Sequence, residues 1–179
     1  MPTENVPTIP STMHAMVLTG HGDIDKLVYR DDVATPRPGP GEVLVQVTAT
    51  AKNNTDRKAR EGLYPTKDKG DVTSFAMGGE PTLTFPRIQG ADVAGRVVAV
   101  GEGVDTSRIG ERGLLDFNLY PDARRDINLT PDYYGHGADG GYAEYIAVPA
   151  SNLWPIHDQI PSELAAFFDP YGNAAHCAL

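Results

Sequence analysis

The stretch PRIQGADVAGRVVAVGEGV, residues 86–104, carries the strongest structural signal in this chain. Its segment Asp92–Val100 is dense in branched apolar side chains, and Gly101 ends it. Branched side chains favour the pleated, buried surface of a sheet, so we predict a strand over Asp92–Val100. The fold predicted for the rest of the chain is arranged around this strand.

Short apolar runs separated by turn residues flank this strand on both sides. The chain contains 19 glycines and 15 prolines, which divide it into segments typical of a β-rich domain. In Glu42–Ala51, valine or alanine at every second position gives a period of two, which predicts a half-buried strand. The remaining predicted strands are His14–Leu18 with its hairpin partner Leu27–Arg30, then Leu114–Phe117 and Gly141–Val148.

Helical signals are short and lie mainly near the C-terminal end. One or two helical turns are predicted within Asn53–Gly62, and the polar, glycine-rich Lys67–Thr84 is predicted to be a surface loop. After Pro161, Ser162 is a candidate helix N-cap, and Asp169-Pro170 supply a second N-cap with proline at the first helical position. The sequence therefore predicts a mainly β, partly open barrel with short helices and a C-terminal helical segment.

The composition excludes several classes of protein. The net charge of −9 argues against binding to nucleic acid and against adsorption to an anionic membrane, because both partners are themselves negative. No run approaches the roughly 20 apolar residues that a membrane span requires. The single cysteine, Cys177, excludes an internal disulfide, fits a reducing cytoplasm, and is predicted to be a buried, unreactive thiol.

Four motifs occur in order: PGPGEVLV at 38–45, NNTD at 53–56 with Arg60, Gly62 and Tyr64 after it, the stretch at 86–104, and GGYAEY at 140–145 with VPA at 148–150. Through them the chain resembles the medium-chain dehydrogenase/reductase superfamily, whose first domain is a GroES-like, partly open β-barrel. Residues 1–12 are polar and contain prolines, which predicts a flexible tail. The resemblance implies a GroES-like catalytic domain over 13–160, and over 161–179 the start of helices that link to a nucleotide-binding domain.

The positions that hold zinc in related enzymes differ in this chain. Relatives place a cysteine where this chain has Asn53 and His-Glu where it has Ala91-Asp92, and Asn118–Asp139 lacks the four cysteines of their structural zinc lobe. Zinc requires sulfur, imidazole or carboxylate ligands. The motifs are similar to those of the zinc-free, quinone-oxidoreductase-like branch, which implies that no metal is bound.

The C-terminal segment is similar to a different branch of the superfamily. Asp169–His176 resembles the polyol and threonine dehydrogenases, which use zinc and keep an acidic residue near the metal at the position of Asp169. Two interpretations stay open. Asp92 and Asp169 are the remaining carboxylates of a degraded metal site, or Asp169 is only a helix N-cap.

The resemblance implies hydride transfer between NAD(P) and a small-molecule alcohol, carbonyl or activated alkene. Without zinc, hydrogen-bond donors must stabilise charge on the substrate oxygen, and the candidate catalytic residues are Asn53, Thr55 and Tyr64. Asn53 and Asn173 are the candidate cofactor contacts. The alternatives are that Asn53 and Thr55 only cap the turn that follows them, and that Tyr64 lines the core.

Charged residues beside these candidates have structural interpretations. Asp56 and Arg60 are four residues apart, so they are expected to form a helical ion pair that shapes the turn at the substrate cleft. Asp92 is expected to accept hydrogen bonds from backbone N–H groups beside its strand. Both expectations place these carboxylates in the framework of the cleft rather than in the chemistry.

The sequence contains no Gly-x-Gly-x-x-Gly turn of the kind that binds a dinucleotide pyrophosphate; Gly101-Glu102-Gly103 lacks the third glycine. We therefore expect a catalytic domain that stops before its nucleotide-binding domain and has little or no turnover alone. Two alternatives stay open: a stand-alone small-molecule-binding module, and a subunit completed by a separate nucleotide-binding chain. An open strand edge and the apolar tail Pro161–Leu179 further predict a homo-oligomer.

Overall fold

The structure is a computed structural model, and it describes residues 8–64, 83–120 and 132–179. The described residues form a mainly β fold, which confirms the predicted fold class. Its largest sheet is antiparallel and has five strands in the order β10-β6-β5-β3-β9. These strands are β3 (Glu42–Ala51), β5 (Asp92–Val100), β6 (Arg112–Leu115), β9 (Tyr145–Pro149) and β10 (Leu153–Pro155).

Two smaller sheets complete the β structure. The first has three strands in the order β2-β1-β4: β1 (Thr12–Leu18), β2 (Leu27–Ala34) and β4 (Arg87–Ile88). The second pairs β7 (Asn118–Leu119) with β8 (Asp132–Tyr133). A bridge between Ala15 and Ala143 joins the three-stranded sheet to the chain entering β9. The predicted pairing of the first two strands is confirmed, although both are longer than expected.

Strand β5 lies at the centre of the large sheet, with the bounds predicted for it. It pairs with β3 on one side and with β6 on the other. Gly95 permits the close approach to β3, since a Cβ there would lie only 2.4 Å from the Gln46 carbonyl oxygen. The side chains of Val97 and Val98 enter two different hydrophobic clusters, one on each face of the sheet.

The half-buried interpretation of β3 is wrong for its first half. Val43 and Val45 are buried in one cluster, while Leu44 between them is buried in the other. Both faces of β3 are therefore covered at this end. The alternation along this part of β3 therefore does not separate a buried face from an exposed face, because β3 lies between β5 and β9 with core on each side.

Two other strand predictions are displaced: β6 spans Arg112–Leu115 and not Leu114–Phe117, and β9 starts later than predicted. The strand predicted at Gly141–Val148 begins only at Tyr145, because Gly140, Gly141 and Tyr142 donate their N–H groups to carbonyls of Ile88, Gly90 and Gln89 instead. The polar stretch Asn118–Asp139 contributes β7 and β8, which the pattern did not predict. The predicted loop Lys67–Thr84 lies almost wholly outside the described residues.

Three α-helices are described: α1 (Asn54–Arg60), α2 (Ser162–Ala165) and α3 (Phe168–Ala178). The N-caps predicted at Ser162 and Asp169 are both wrong. Ser162 is already helical and its hydroxyl bonds to the side chains of Thr48 and Arg112, while Asp169 lies in the first turn of α3, after the cap residue Phe167. No helix in the described ranges is long and apolar enough to cross a membrane.

The C-terminal segment lies on the barrel through small residues and leaves larger ones exposed. Ala165 and Ala166 are buried against Ala94 of β5. Exposed apolar side chains in α2, α3 and the junction between them are Leu164, Phe167, Phe168 and Tyr171. The prediction of a buried thiol is also wrong, since Cys177 is exposed near the end of α3.

Candidate functional site

The site is built around the turn that joins β3 to α1. Asn53 is the N-cap of α1: its Oδ1 accepts a hydrogen bond from the Thr55 N–H at 3.2 Å. In return, the Asp56 carboxylate accepts the Asn53 N–H at 3.0 Å. This reciprocal cap fixes the orientation of the Asn53 amide, because the atom that faces the helix N–H must be the oxygen.

The Asn53 Nδ2 therefore points away from α1, towards two carboxylates. It donates to Asp92 Oδ2 and to Asp169 Oδ2, each at 2.9 Å. Asp92 is the first residue of β5, and Asp169 lies in the first turn of α3. An amide nitrogen carries two hydrogens, and the two carboxylates take both. Residues far apart in sequence thus converge on one nitrogen.

A cleft of about 530 Å³ opens beside these carboxylates. Asp92 and Asp169 line it together with Asn173, whose Nδ2 donates to the second oxygen of Asp169 at 3.2 Å. The walls are mainly apolar, with contributions from Leu114, Phe117, Trp154 and Phe168. The cleft has mainly apolar walls and three acidic lining residues, Asp92, Asp116 and Asp169, and a mainly apolar cleft with a few polar groups is typical of a small-molecule site.

The environment of Asp92 shifts its ionisation. Burial raises the pKa of this carboxyl to about 6 from its usual 3.8, the hydrogen bond from Asn53 opposes the rise, and the negative charges of Asp169 and Asp56 add to it. Contrary to expectation, the Asp92 side chain accepts its hydrogen bond from the Asn53 amide and not from a backbone N–H. Asp92 thus faces the cleft as a titratable group.

Asp56 takes the framework role that was expected of Asp92. Its carboxylate accepts the Gly90 N–H at 3.2 Å and the Tyr142 hydroxyl at 2.9 Å, besides the Asn53 N–H. Burial raises the pKa of Asp56, and these hydrogen bonds oppose the rise. Asp56 therefore ties the turn that joins β3 to α1 to Gly90, the residue two positions before Asp92.

The predicted Asp56–Arg60 ion pair is wrong within the described residues. Arg60 donates to the Gly22 carbonyl at 2.7 Å, and its guanidinium lies 3.7 Å from the Asp23 carboxylate. Although the two residues are one helical turn apart, Asp56 points towards β5 and Arg60 points towards the turn between β1 and β2. Arg60 thus holds α1 against that turn.

The remaining candidates lie in different places. Thr55 is half-buried in the first turn of α1, and Tyr64 follows α1 with its ring edge-on to His136 at 6.4 Å between centroids. Neither is among the described residues that line the cleft, whereas Asn173 is. The sequence interpretation missed the aromatic wall of Phe117, Trp154 and Phe168. The available sequence signal was that these three aromatic residues lie at the ends of predicted strands and helices or between them.

The sequence interpretation also missed a buried Asp–His pair behind the cleft. Asp132 and His136 lie 2.8 Å apart, from Oδ1 to Nδ1, and the His136 ring stacks on Tyr133 at 5.0 Å. The same turn packs against the segment that precedes Asp92, since a Cβ on Gly135 would lie 2.9 Å from the Gly90 nitrogen. The pair therefore supports the turn that carries Asp92.

Comparison with known proteins gives consistent matches. The family model for the alcohol dehydrogenase GroES-like domain matches residues 39–158. L-threonine 3-dehydrogenase of Stenotrophomonas maltophilia (strain K279a) is 42% identical over 161 residues, which are 86% of this chain and 44% of the relative. The chain thus spans less than half the length of this curated relative.

Two solved structures extend the comparison. A putative alcohol dehydrogenase from Sinorhizobium meliloti 1021 is 50% identical with a TM-score of 0.81, over 90% of this chain and 44% of that one. A putative zinc-binding dehydrogenase from the same organism, bound to NADP, is 28% identical with a TM-score of 0.70, over 88% of this chain and 42% of that one. Both similarities cover the barrel described above.

Proposed function

Because this chain belongs to the alcohol dehydrogenase GroES-like domain family, within the medium-chain dehydrogenase/reductase superfamily, we propose that it forms the substrate-binding part of an NAD(P)-dependent oxidoreductase that works without zinc. The observation that carries the zinc-free part is the position of Asn53 Nδ2, 2.9 Å from both Asp92 and Asp169. In this proposal the reaction proceeds without zinc, as in the quinone-oxidoreductase-like branch of the superfamily.

The residues at this position do not fit a zinc ion. Zinc is held by lone pairs on thiolate, imidazole or carboxylate groups. Asn53 presents two N–H bonds to the carboxylates instead, and the neighbouring Ala91 offers only a methyl group. Across the described ranges, no group of three or more His, Cys, Asp and Glu is placed to hold a metal. The amide nitrogen thus occupies the place where Asp92 and Asp169 converge.

The chain's own residues would bind and orient the substrate. The nicotinamide, when bound, supplies or accepts the hydride. Leu114, Phe117 and Trp154 hold the apolar part of the substrate and exclude water. Asn53 has no donor left for a substrate oxygen, so it acts by positioning Asp92 rather than by contact. Asp92 has a second carboxylate oxygen to which no described residue donates, and this oxygen can accept a hydrogen bond from the polar group of the substrate.

We assign the nucleotide contacts mainly to residues other than these. Asn173 lines the cleft and remains the better placed of the two candidate cofactor contacts. Thr55 and Tyr64 stay candidates only if substrate or cofactor reaches beyond the cleft. Since other residues make most of the nucleotide contacts, the 179 residues alone would have little or no turnover. The exposed thiol of Cys177 fits a location in the reducing cytoplasm. A stand-alone binding module or a subunit of a two-chain enzyme are the competing functions.

A chimera tests this function. The 50% identical Sinorhizobium meliloti protein extends well beyond the matched region, so residues 13–179 can replace the corresponding part of it. We expect the chimera to oxidise alcohols or reduce carbonyls with NAD(P), and to keep that activity after treatment with 1,10-phenanthroline. The isolated chain should show neither turnover nor tight binding of NADH or NADPH in calorimetry.

The parent Sinorhizobium meliloti protein is the control for the folding and cofactor use of the chimera. One equivalent of zinc that resists dialysis, with activity lost on chelation, would contradict the zinc-free proposal. A well-folded chimera that binds NAD(P) but transfers no hydride from any alcohol, or to any carbonyl or activated alkene, would favour the binding-module alternative. Turnover by the isolated chain would contradict the proposed dependence on further residues.

A further inference from the structure

We propose that the cleft binds an organic ammonium group carrying an apolar body, and that Asp92 is the residue that selects this head group. The inference rests on the proposed function, because it names the substrate class of the same cleft. It goes beyond that function, since hydride transfer by itself requires only an alcohol or a carbonyl.

The Asp92 carboxylate is incompletely hydrogen-bonded within the described residues. This residue is only 4% exposed, yet its Oδ1 accepts no hydrogen bond from any described residue, while Oδ2 accepts one from Asn53. Oδ1 is not among the fully buried unpaired atoms of the described residues, so a donor can reach it from the cleft. Asp92 lines the cleft, so a ligand that donates a hydrogen bond there would satisfy it.

The charged side chains that line the cleft are acidic. Asp92, Asp116 and Asp169 line it, and none of the described lining residues is Lys, Arg or His. The amides of Asn53 and Asn173 satisfy hydrogen bonds of Asp92 and Asp169 without neutralising the charge of these two carboxylates. A cationic head group is attracted by this charge, and an anionic one is repelled.

One wall of the cleft is aromatic. Phe117, Trp154 and Phe168 supply aromatic rings, and Trp154 is 52% exposed, so part of its surface is open to a ligand. Aromatic faces bind apolar groups and also attract ammonium ions. The volume of about 530 Å³ accommodates a ligand of the size of a phenylethyl group.

The ionisation state supports this assignment. The pKa of Asp92 is raised to about 6, so its carboxylate is mainly charged at pH 8. An alkylammonium has a pKa of about 10, as lysine does, and is charged at the same pH. Both partners are therefore ionised under the conditions of the test.

The test uses four ligands with the same phenyl body: 2-phenylethylamine, 2-phenylethanol, 3-phenylpropionate and L-phenylalanine. The chain has a single tryptophan, Trp154, which lines the cleft, so its fluorescence reports binding without a label. At pH 8 we expect the amine to bind about tenfold more tightly than the alcohol, which corresponds to one charge-assisted contact. The propionate and the zwitterion should bind more weakly than the alcohol.

Two variants locate the effect. Asp92→Asn keeps the shape of the side chain and should reduce the affinity of this variant for the amine to its affinity for the alcohol. Asp116→Asn is the matched control: it removes one cleft charge from a carboxylate that Asn118 already holds at 2.8 Å, and it should keep most of the preference. Circular dichroism and thermal melts verify that both variants are folded.

Equal binding of amine and alcohol, or no binding of any of the four ligands, would overturn this inference. An amine preference that survives Asp92→Asn, or that Asp116→Asn abolishes equally, would overturn the assignment to Asp92. Activity of the chimera towards neutral alcohols would leave the proposed function standing in each of these cases. A chimera inactive towards alcohols, amino alcohols, carbonyls and activated alkenes would instead contradict the proposed function, whatever the fluorescence shows.

Discussion

Asp56 and Asp92 are neighbouring buried carboxylates that the protein treats differently. Asp56 accepts hydrogen bonds from Asn53, Gly90 and Tyr142, which all belong to the framework of the fold. Asp92 accepts one, from Asn53, and leaves an oxygen at the cleft. A carboxylate that is fully bonded within the protein stabilises the fold, whereas one with an unsatisfied oxygen at a cleft is available to a ligand. The difference separates the scaffold from the site.

The largest effect is expected at Asp56. Asp56→Ala leaves the Gly90 N–H and the Tyr142 hydroxyl without their acceptor in a buried region, so it should lower the free energy of unfolding by about 3–4 kcal/mol. Urea denaturation measures this change. Asp31→Ala, at an exposed position, is the control and should stay within about 0.5 kcal/mol of the wild type. A similarly small loss for Asp56→Ala would mean that Asp56 does not stabilise the fold more than an exposed carboxylate does.

Asn53 links the two carboxylates, so its removal should have the next largest effect. Asn53→Ala removes a helix cap, worth about 1 kcal/mol, and both donors to Asp92 and Asp169, for a total loss of about 2 kcal/mol at pH 8. Asn53→Ser is the matched variant, since serine can cap α1 but cannot bridge the carboxylates. If serine restores full stability, the bridge contributes nothing and Asn53 is only a cap.

Replacement of Asp92 should have the opposite sign. The folded-state pKa of about 6 lies above the usual 3.8, so the folded protein holds the proton more tightly. Its contribution to stability is present below pH 4 and is lost as pH rises through 6. Asp92→Asn should therefore stabilise the protein by about 1–2 kcal/mol at pH 8, allowing for solvent screening in the cleft, with the gain disappearing towards pH 4. A pH-independent effect, or a loss at pH 8, would contradict this.

The smallest effect is expected for self-association. A second copy that covers the cleft would make Asp92 less accessible to a ligand, and Asp92 would then resemble Asp56 more closely. Leu164 in α2 and Tyr171 in α3 are 66% and 65% exposed, and α3 forms one side of the cleft. We propose that another copy covers them, against the repulsion of a net charge of −9. Sedimentation equilibrium should show a weak dimer that Leu164→Ser with Tyr171→Ser abolishes. A monomer at all concentrations would mean that the cleft stays open without a partner.

The central elements of the fold were predictable because their signals are local. The density of branched residues in Asp92–Val100 and the apolar positions of Glu42–Ala51 give both strands their bounds. The caps predicted at Ser162 and Asp169 failed, because a cap depends on where the preceding backbone turns, and packing of Ala165 and Ala166 on Ala94 determines that turn. Local chemistry at a helix end is therefore a weaker guide than burial.

The sequence by itself determined which chemical groups the site can contain. Asparagine at 53, alanine at 91 and aspartate at 92 follow from the chain alone, and so does the absence of cysteine from the motifs at 53–56 and 86–104. The tertiary structure decided what these groups do. Asp92 and Asp169 lie 77 residues apart in sequence, yet they share one nitrogen because α3 returns to the start of β5. The direction in which a carboxylate points, and the donors left for it, depend on packing between distant elements, which no local pattern encodes.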